Sequence, residues 1–387
     1  MKTVENKGFL TTPNAMGRSV VAKPPVAVQK ANKINCFVHI SYGTALNILQ
    51  IGMTVIFACF FTMPSFGRDQ QFIIGADISW VDQDEAVGAR YFDHGVQKDI
   101  FQILKDHKFN WIRLRTFVDP TAPGGYSKAG YCDLAHTLKM AKRVYAAGMN
   151  LSLDFHYSDI WADPGHYIVP TAWKGQDIAQ KSQSLYDYTK NVLTRLKNQG
   201  TLPQMVQVGN EINNGMAGET SWDNMAALLR AGIKAVREVD PTALVVLHIA
   251  KGGDYAGSCK WIDNAQSRGV VFDVLGESCY TEWQGQPAGW KTNFTDLAVK
   301  YPKLKFIVAE YSPKKREAND IAFGIVNERG LGTFIWEPTR YQEAAFTRSG
   351  NNYYALDLLL DLYPAMSKDY GNGALPLNPI NSQSDNR

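Results

Sequence analysis

The sequence has no cysteine framework, no basic stripe and no glycine-rich phosphate turn, and each absence argues against a class of protein. Five cysteines among 387 residues form no CxxC pair, and only Cys132, Cys259 and Cys279 lie in the body of the chain. An odd number at this spacing argues against a disulfide framework or a zinc site; one bridge would be possible, but the sequence does not choose it. The formal net charge is +3 with no long basic run, so we expect no nucleic-acid partner.

The first 70 residues divide into two parts of different composition. Residues 1–44 show no clear period and contain scattered basic residues, which predicts a disordered leader. Residues 45–67 carry no charge and are rich in Leu, Ile, Met and Phe, a composition that suits the apolar core of an export signal or a membrane anchor. Because Ser65 and Gly67 just before Arg68 resemble a cleavage site, we favour export to the periplasm or the medium, with an uncleaved anchor as the alternative.

From Gln71 to Tyr370, apolar strand-like runs alternate with amphipathic helical patterns, as in repeated βα units. The predicted strands are residues 72–76, 111–115, 151–156, 206–211, 244–248, 270–276, 305–309 and 332–336. Eight units predict an α/β fold that consists of a single (β/α)8 TIM barrel. A doubly wound sheet would place a glycine-rich turn after the first strand, and residues 75–78 are not one. Residues 371–387 predict a flexible tail.

Carboxylates follow several of these strands, and two glutamates among them are the strongest catalytic candidates. The run that begins at Val206 delivers Asn210 and Glu211, and the run from Lys305 to Ala309 delivers Glu310. The carboxyl ends of the barrel strands form the active-site face of this fold. A glycosidase needs two carboxylates at its active site, one on each side of the bond that it cleaves. We therefore favour catalytic roles over surface carboxylates for both glutamates.

Aromatic residues make up 12% of the chain, including nine Trp and 18 Tyr. Such rings stack on the apolar faces of sugars, although most of them can equally fill a large core. The loop after the third strand is long and aromatic, which is typical of a functional loop. We expect a cleft with four tryptophans: Trp161, Trp173, Trp283 and Trp336.

Several motifs together resemble one known family. They are Gly75-Ala76-Asp77, Arg113-Leu114-Arg115, Asp154-Phe155-His156-Tyr157-Ser158-Asp159, Trp161-Ala162-Asp163-Pro164-Gly165, Gly209-Asn210-Glu211-Ile212-Asn213, Ala309-Glu310-Tyr311 and Trp336-Glu337-Pro338. In these motifs the sequence resembles glycoside hydrolase family 53, the arabinogalactan endo-β-1,4-galactanases. The resemblance covers residues 71–370. The block after the third strand is its most specific part, because the Asn-Glu pair is shared with a broad clan of retaining barrel glycosidases.

The resemblance implies roles for individual residues. Glu211 would be the general acid/base and Glu310 the nucleophile of a retaining hydrolysis, while Asn210 would bond the sugar 2-hydroxyl. The other implied substrate-binding or orienting residues are Asp77, Arg115, His156, His248, Tyr280 and Trp336, with Trp336 as the stacking platform. Arg115 could also be the partner in a buried ion pair, a role that does not exclude the first, and a structural cap is the alternative for Asp77. No cofactor is implied, and we assign no metal ligands, because those of the calcium site in some members are not identifiable here.

One departure from the family pattern follows the sixth strand. Here Glu277 adds a carboxylate, and Cys279 replaces a ring that the family usually carries, which affects the expected shape of the sugar subsites. The implied function is retaining endo-hydrolysis of β-1,4-galactan by a monomer. The alternatives are a mannanase or cellulase of the same clan, and a barrel that binds polysaccharide without cleaving it.

Overall fold

The computed structural model describes residues 71–372. The expected leader, the apolar segment 45–67 and residues 373–387 of the expected tail lie outside this range. The first two residues of that tail belong to the barrel body, because the side chain of Asn372 accepts a hydrogen bond from the backbone N of Phe72 at 2.8 Å and donates one to its carbonyl at 2.9 Å. Among the described helices, none is both long and apolar enough to cross a bilayer.

Twelve strands occur in this part of the chain. They are β1 (Ile73–Asp77), β2 (Arg90–Asp93), β3 (Val96–Lys98), β4 (Trp111–Thr116), β5 (Asn150–Phe155), β6 (Met205–Val208), β7 (Leu244–Ile249), β8 (Val274–Cys279), β9 (Lys305–Tyr311), β10 (Gly330–Trp336), β11 (Phe346–Ser349) and β12 (Asn352–Ala355). Eight of them pair in parallel and close a barrel in the order β1-β10-β9-β8-β7-β6-β5-β4. This confirms the predicted (β/α)8 fold.

Ten α-helices occur in the described residues, and all but the last two lie between barrel strands. They are α1 (Val81–Ala86), α2 (Ile100–Asp106), α3 (Leu134–Ala146), α4 (Ile178–Gln199), α5 (Trp222–Val239), α6 (Tyr255–Ser267), α7 (Pro287–Lys300), α8 (Lys315–Phe323), α9 (Asp357–Leu360) and α10 (Leu362–Asp369). Polar side chains mark several helix starts; Asp177 caps α4 in a reciprocal pair with Gln180, which satisfies backbone donors that would otherwise lack partners. Gly200 ends α4 in the left-handed conformation, which glycine adopts without a steric penalty.

The barrel interior and the layer between strands and helices form separate cores. Alternate strand residues point inward, and a small interior cluster is formed by Ile73, Trp111, Met205, Val246, Val274, Ile307, Ala309, Leu331 and Phe334. The opposite strand faces pack on the helices in one large cluster. Gly75 belongs to the tight part of the interior, because a Cβ there would lie 2.2 Å from the ring of Phe334.

A second sheet was not predicted. It has four strands in the order β11-β12-β2-β3, and its central pair joins β2, after the first barrel strand, to β12, after the eighth. The predicted start of the sixth barrel strand was also wrong: residues 270–272 precede β8. The residue before the strand, Asp273, instead accepts hydrogen bonds from the backbone N of Val245 and from Arg237, so its carboxylate anchors the strand entrance.

Candidate active site

The chain turns sharply after β6, and this turn presents Asn210 and Glu211 at the barrel mouth. Gly209 has φ +92° and Glu211 φ +44°, two left-handed conformations within three residues. A Cβ at Gly209 would lie 2.7 Å from Ile212, so the turn requires glycine there. Left-handed backbone at a non-glycine residue costs energy and is concentrated at functional sites.

A cavity of about 540 Å³ opens at the carboxyl ends of the strands. Eight of the nine predicted site residues line it, namely Asp77, Arg115, His156, Asn210, Glu211, Tyr280, Glu310 and Trp336. The ninth, His248, is fully buried and lies outside the lining. The two glutamates thus face one cavity, as the ends of two apolar strands predicted.

The carboxylate of Glu310 receives a hydrogen bond on each oxygen. Arg113 Nη1 donates to Oε1 at 2.9 Å and the Tyr280 hydroxyl donates to Oε2 at 3.0 Å. Burial raises the pKa of Glu310, and the guanidinium of Arg113 opposes that rise. Two donors, one of them charged, stabilise the ionised form of this carboxyl.

Glu211 has a different environment. Ser278 Oγ donates to its Oε1 at 2.5 Å, and no arginine contacts it among the hydrogen bonds of the described residues. Burial, with the charge of Glu310 acting in the same direction, raises the pKa of Glu211 to about 8, against the opposing hydrogen bond from Ser278. Because the two groups titrate together, we assign the shared proton to Glu211, the carboxyl that lacks a cationic partner.

His248 lies outside the cavity lining and contacts Ser278, the serine that donates to Glu211. Its Nε2 lies 2.9 Å from Ser278 Oγ, and its Nδ1 lies 3.0 Å from Asn210 Oδ1 and 3.2 Å from Gln207 Nε2. Burial lowers the pKa of His248 well below its usual value, so the ring is neutral. The ring therefore reaches Glu211 through the Ser278 hydroxyl, and its Nδ1 faces the side-chain amides of Asn210 and Gln207. His248 was expected near the carboxylates and the sugar; its hydrogen bonds place it behind Ser278.

Asn210 is held from several sides. Its Nδ2 donates to the carbonyl of Ala162 at 2.8 Å, and its Oδ1 accepts from Arg113 Nη2 at 3.0 Å and from Gln207 Nε2 at 3.1 Å. A primary amide has two N–H donors, so one remains to face the cavity. Asn210 is therefore presented as a fixed donor.

Arg113, rather than Arg115, is the cation of the carboxylate pair. It is 1% exposed and also donates to Asp77 at 2.8 Å and Asp154 at 2.9 Å. Arg115 was expected to orient the carboxylates and the sugar. Its guanidinium donates to Glu337 at 2.5 Å, a buried ion pair that is compatible with that role. Arg113 and Arg115 are two residues apart on β4, so both side chains lie on its inward face. This spacing could have identified Arg113 as a site residue.

His156 and Asp77 are both tied down by hydrogen bonds at the cavity wall. His156 Nδ1 accepts from the backbone N of Ala162 at 3.0 Å, and its Nε2 lies 3.1 Å from Asp154. Asp77 accepts from the backbone N and the hydroxyl of Ser79 as well as from Arg113. These contacts fix the wall of the cavity in the position that a sugar would meet.

The aromatic side chains at the cavity differ from the expected set. Trp161, Trp283 and Trp336 line it, and so does Tyr341, whose ring centroid lies 4.2 Å from that of Trp336 and which sequence reasoning missed. Trp173 is buried instead, 6.4 Å from Tyr188 between ring centroids. The sequence placed Trp173 in the long loop after the third barrel strand, and it did not reveal that this part of the loop packs against the helices.

The extra carboxylate of Glu277 does not enter the site. Its side chain is fully buried and points outward from β8, where Ser258 Oγ donates to Oε1 at 2.8 Å and the backbone N of Lys251 donates to Oε2 at 3.0 Å. Burial raises its pKa to about 8. Cys279 lies on the same outer face in the helix-side core, and it is a free thiol, as are Cys132 and Cys259.

Comparison with known proteins agrees with this geometry. Residues 73–323 match the sequence model of glycosyl hydrolase family 53. An endo-beta-1,4-galactanase of Bacillus subtilis (strain 168) is 34% identical over 306 residues, 70% of this chain and 71% of the relative. An arabinogalactan endo-beta-1,4-galactanase of Cellvibrio japonicus (strain Ueda107) is 38% identical over 275 residues, 67% of this chain and 71% of the relative.

A solved structure shows the same architecture. The chain is similar to a structure from a study of two fungal beta-1,4-galactanases, with a TM-score of 0.67 and 27% identity over 75% of this chain and 98% of that one. Sequence, fold and paired carboxylates lead to one assignment. The chain belongs to glycoside hydrolase family 53.

Proposed function

We propose that this chain is a retaining endo-β-1,4-galactanase that cleaves the galactan backbone of arabinogalactan-type polysaccharides. The observation that carries the mechanism is the asymmetry of the two glutamates: Glu310 accepts from Arg113 and Tyr280, whereas Glu211 has a pKa raised to about 8. One carboxyl is therefore built to be ionised and the other to hold a proton at neutral pH. The galactanase activity of the relatives supports the choice of substrate.

In the first step, a Glu310 oxygen attacks the anomeric carbon while Glu211 gives its proton to the departing glycosidic oxygen. The bond between carbon and leaving oxygen breaks as the glycosyl ester bond to Glu310 forms. In the second step, Glu211, now ionised, takes a proton from water, whose oxygen attacks the same carbon and releases Glu310. The free N–H of Asn210 faces the sugar in both steps, and Trp336 offers the stacking surface.

Mid-chain cleavage is supported by an open cavity with aromatic residues on its walls. The axial O4 of galactose gives a β-1,4-galactan chain a curved course, which differs from the flat course of cellulose. The experiment compares linear galactan, mannan and carboxymethylcellulose by viscosity and by reducing ends released. We expect a fast viscosity drop on galactan only. Galactose as the sole early product, or faster cleavage of mannan, would refute the proposal.

We also propose that residues 45–67 direct the chain out of the cytoplasm, either as a cleaved signal or as an anchor, and that the enzyme acts as a monomer without nucleic acid. The support is the uncharged run in the sequence and the nearly balanced charge. N-terminal sequencing of protein from the cell envelope and the medium tests the first part. Light scattering during gel filtration tests the second.

A further inference from the structure

A second cluster of chemically reactive side chains lies away from the sugar cavity. Asp93, His94 and His107 each present one ligand atom, and these atoms lie within 4.8 Å of one another. None of the three lines the cavity. We propose that this cluster is a Zn²⁺ site, which holds the first βα unit of the barrel to the segment after the last barrel strand.

The spacing of the atoms fits a single small cation. Asp93 Oδ1 lies 3.1 Å from His107 Nε2 and 3.7 Å from His94 Nε2. Ligand atoms at ordinary zinc bond lengths in a tetrahedral site are about 3.3 Å apart. The cluster therefore needs only small side-chain movements to converge on one ion, with a water molecule as the fourth ligand.

The other nitrogen of each imidazole faces a carboxylate. His94 Nδ1 lies 3.3 Å from Asp357 Oδ2, and His107 Nδ1 lies 3.5 Å from Asp361 Oδ1. Histidines that bind a metal typically donate their second ring N–H to such a carboxylate, which fixes the ring and increases its basicity. Asp357 and Asp361 come from the segment around α9, so they bring the distant end of the barrel into the site.

His107 provides an independent indication of a ligand. It is 4% exposed, and its Nδ1 is a buried polar atom without a hydrogen-bond partner, which is costly in a folded protein. A metal ion at Nε2 would make Nδ1 the protonated nitrogen, and a small shift would then complete its hydrogen bond to Asp361. The site thus accounts for a group that is otherwise unsatisfied.

Charge and ligand type select the ion. Three aspartates, Asp93, Asp357 and Asp361, lie at the cluster with one lysine, Lys98. The Nζ of Lys98 pairs with Asp93 Oδ2 at 2.8 Å, while Asp93 Oδ1 faces the two imidazoles, and its hydrogen bond with His107 Nε2 would be replaced by the metal. Two imidazoles and a carboxylate favour zinc over calcium or magnesium, which prefer oxygen ligands. His94 and Gly95 form the turn between β2 and β3, with φ +47° and φ +77°. In this conformation the imidazole of His94 lies near the carboxylate of Asp93.

The test uses the full chain, purified without a histidine tag and stripped of metal by a chelator. Zinc uptake is measured by elemental analysis after dialysis, and melting temperature is followed with and without zinc. We expect one more zinc per chain in the parent protein than in His94→Ala, and a rise in Tm of several degrees with zinc that the variant lacks. His94 is 55% exposed at its side chain, so the variant should fold.

His136→Ala is the matched control, because His136 also pairs with an aspartate, Asp133 at 2.9 Å, but belongs to no such cluster; it should bind zinc as the parent does. Cobalt in place of zinc gives a second readout, since tetrahedral Co²⁺ absorbs strongly in the visible range, and this absorption should be lost in His107→Gln. Equal zinc uptake and equal Tm response in the parent and His94→Ala would overturn the proposal, whatever the activity on galactan.

Discussion

Ser278 donates a hydrogen bond to Glu211 at 2.5 Å while its own oxygen lies 2.9 Å from His248 Nε2. The serine thus connects a buried neutral imidazole to the carboxyl that we assign as the acid. It lies in register with Glu310 on the neighbouring strand. This hydrogen bond opposes the rise in the pKa of Glu211 that burial and the charge of Glu310 cause, so it lowers the pH at which the acid loses its proton.

Replacing this serine should therefore change the pH profile. In Ser278→Ala the pKa of Glu211 should rise, because a donor to its ionised form is lost. The alkaline limb of kcat/KM, which falls as pH rises through the pKa of about 8, should move to higher pH. We also expect a loss of about tenfold in kcat/KM at neutral pH, which corresponds to one hydrogen bond to a charged group.

Ser258→Ala is a closely matched control, because Ser258 is equally buried and donates to a glutamate, Glu277, on the outer face of the same strand. Its pH profile should coincide with that of the parent enzyme. An unmoved alkaline limb in Ser278→Ala would show that Ser278 does not tune the acid.

Glu310→Ala should abolish turnover, with a loss on the order of 10⁴-fold or more. The shortened side chain leaves space for a small anion between Arg113 and Tyr280. Azide should therefore restore part of the activity on an activated galactoside and give the α-glycosyl azide, which NMR identifies. A product of inverted configuration from the intact enzyme would contradict the retaining mechanism.

Glu211→Gln should separate protonation of the leaving group from nucleophilic attack. The variant should cleave galactan very slowly but still release a burst of aryl alcohol from an aryl galactobioside, because a good leaving group departs without a proton. Stopped-flow absorbance measures the burst. Glu277→Gln, on the outer face of β8, is the control and should behave like the parent. Equal loss on both substrates would assign the acid to another residue.

The barrel and the carboxylate pair could be predicted because both depend on local patterns. Eight apolar runs separated by helical periods determine the fold, and polar residues at strand ends mark the active face. The small sheet could not be found in this way. Its strands β2 and β12 pair although nearly the whole barrel sequence separates them, and neither strand has a strong hydrophobic period of its own.

Within the site, the spacing of residues along a strand predicts which face a side chain lies on, but not which side chain it pairs with. Arg113 and Arg115 share the inward face of β4, yet one contacts Glu310 and the other Glu337, a difference set by neighbouring strands. Glu277 was visible as an extra carboxylate, but only the register of β8 shows that it faces helix α6. The Asp93–His94–His107 cluster was not predicted, because its histidines follow no spacing typical of a metal site and only the fold brings His107 to Asp93.

Glu277 also predicts a pH dependence of stability. Burial raises its pKa from 4.5 to about 8, so the folded protein binds more protons than the unfolded chain between these values. Stability should therefore fall as pH rises across that window. Glu277→Gln removes this titration, so its unfolding free energy relative to the parent should increase between pH 5 and pH 8 by a few kcal/mol at most. Chemical denaturation at both pH values measures it; a constant difference would contradict the raised pKa.

Trp283 is the residue that should separate polymer binding from the chemical step. It is 62% exposed, lines the cavity and packs edge-on to Tyr280 at 5.4 Å between ring centroids, so its outer surface is free to stack on a sugar. Trp283→Ala should raise KM for galactan by roughly tenfold, the value of one lost stacking contact of about 1.4 kcal/mol, and change kcat little. Trp283→Phe keeps an aromatic face and should recover most of the affinity. Initial rates on galactan and on a short aryl galactoside test this, because we expect the short substrate to make no contact with so exposed a residue. An equal fall in kcat on both substrates would instead mean that Trp283 positions Tyr280 beside Glu310.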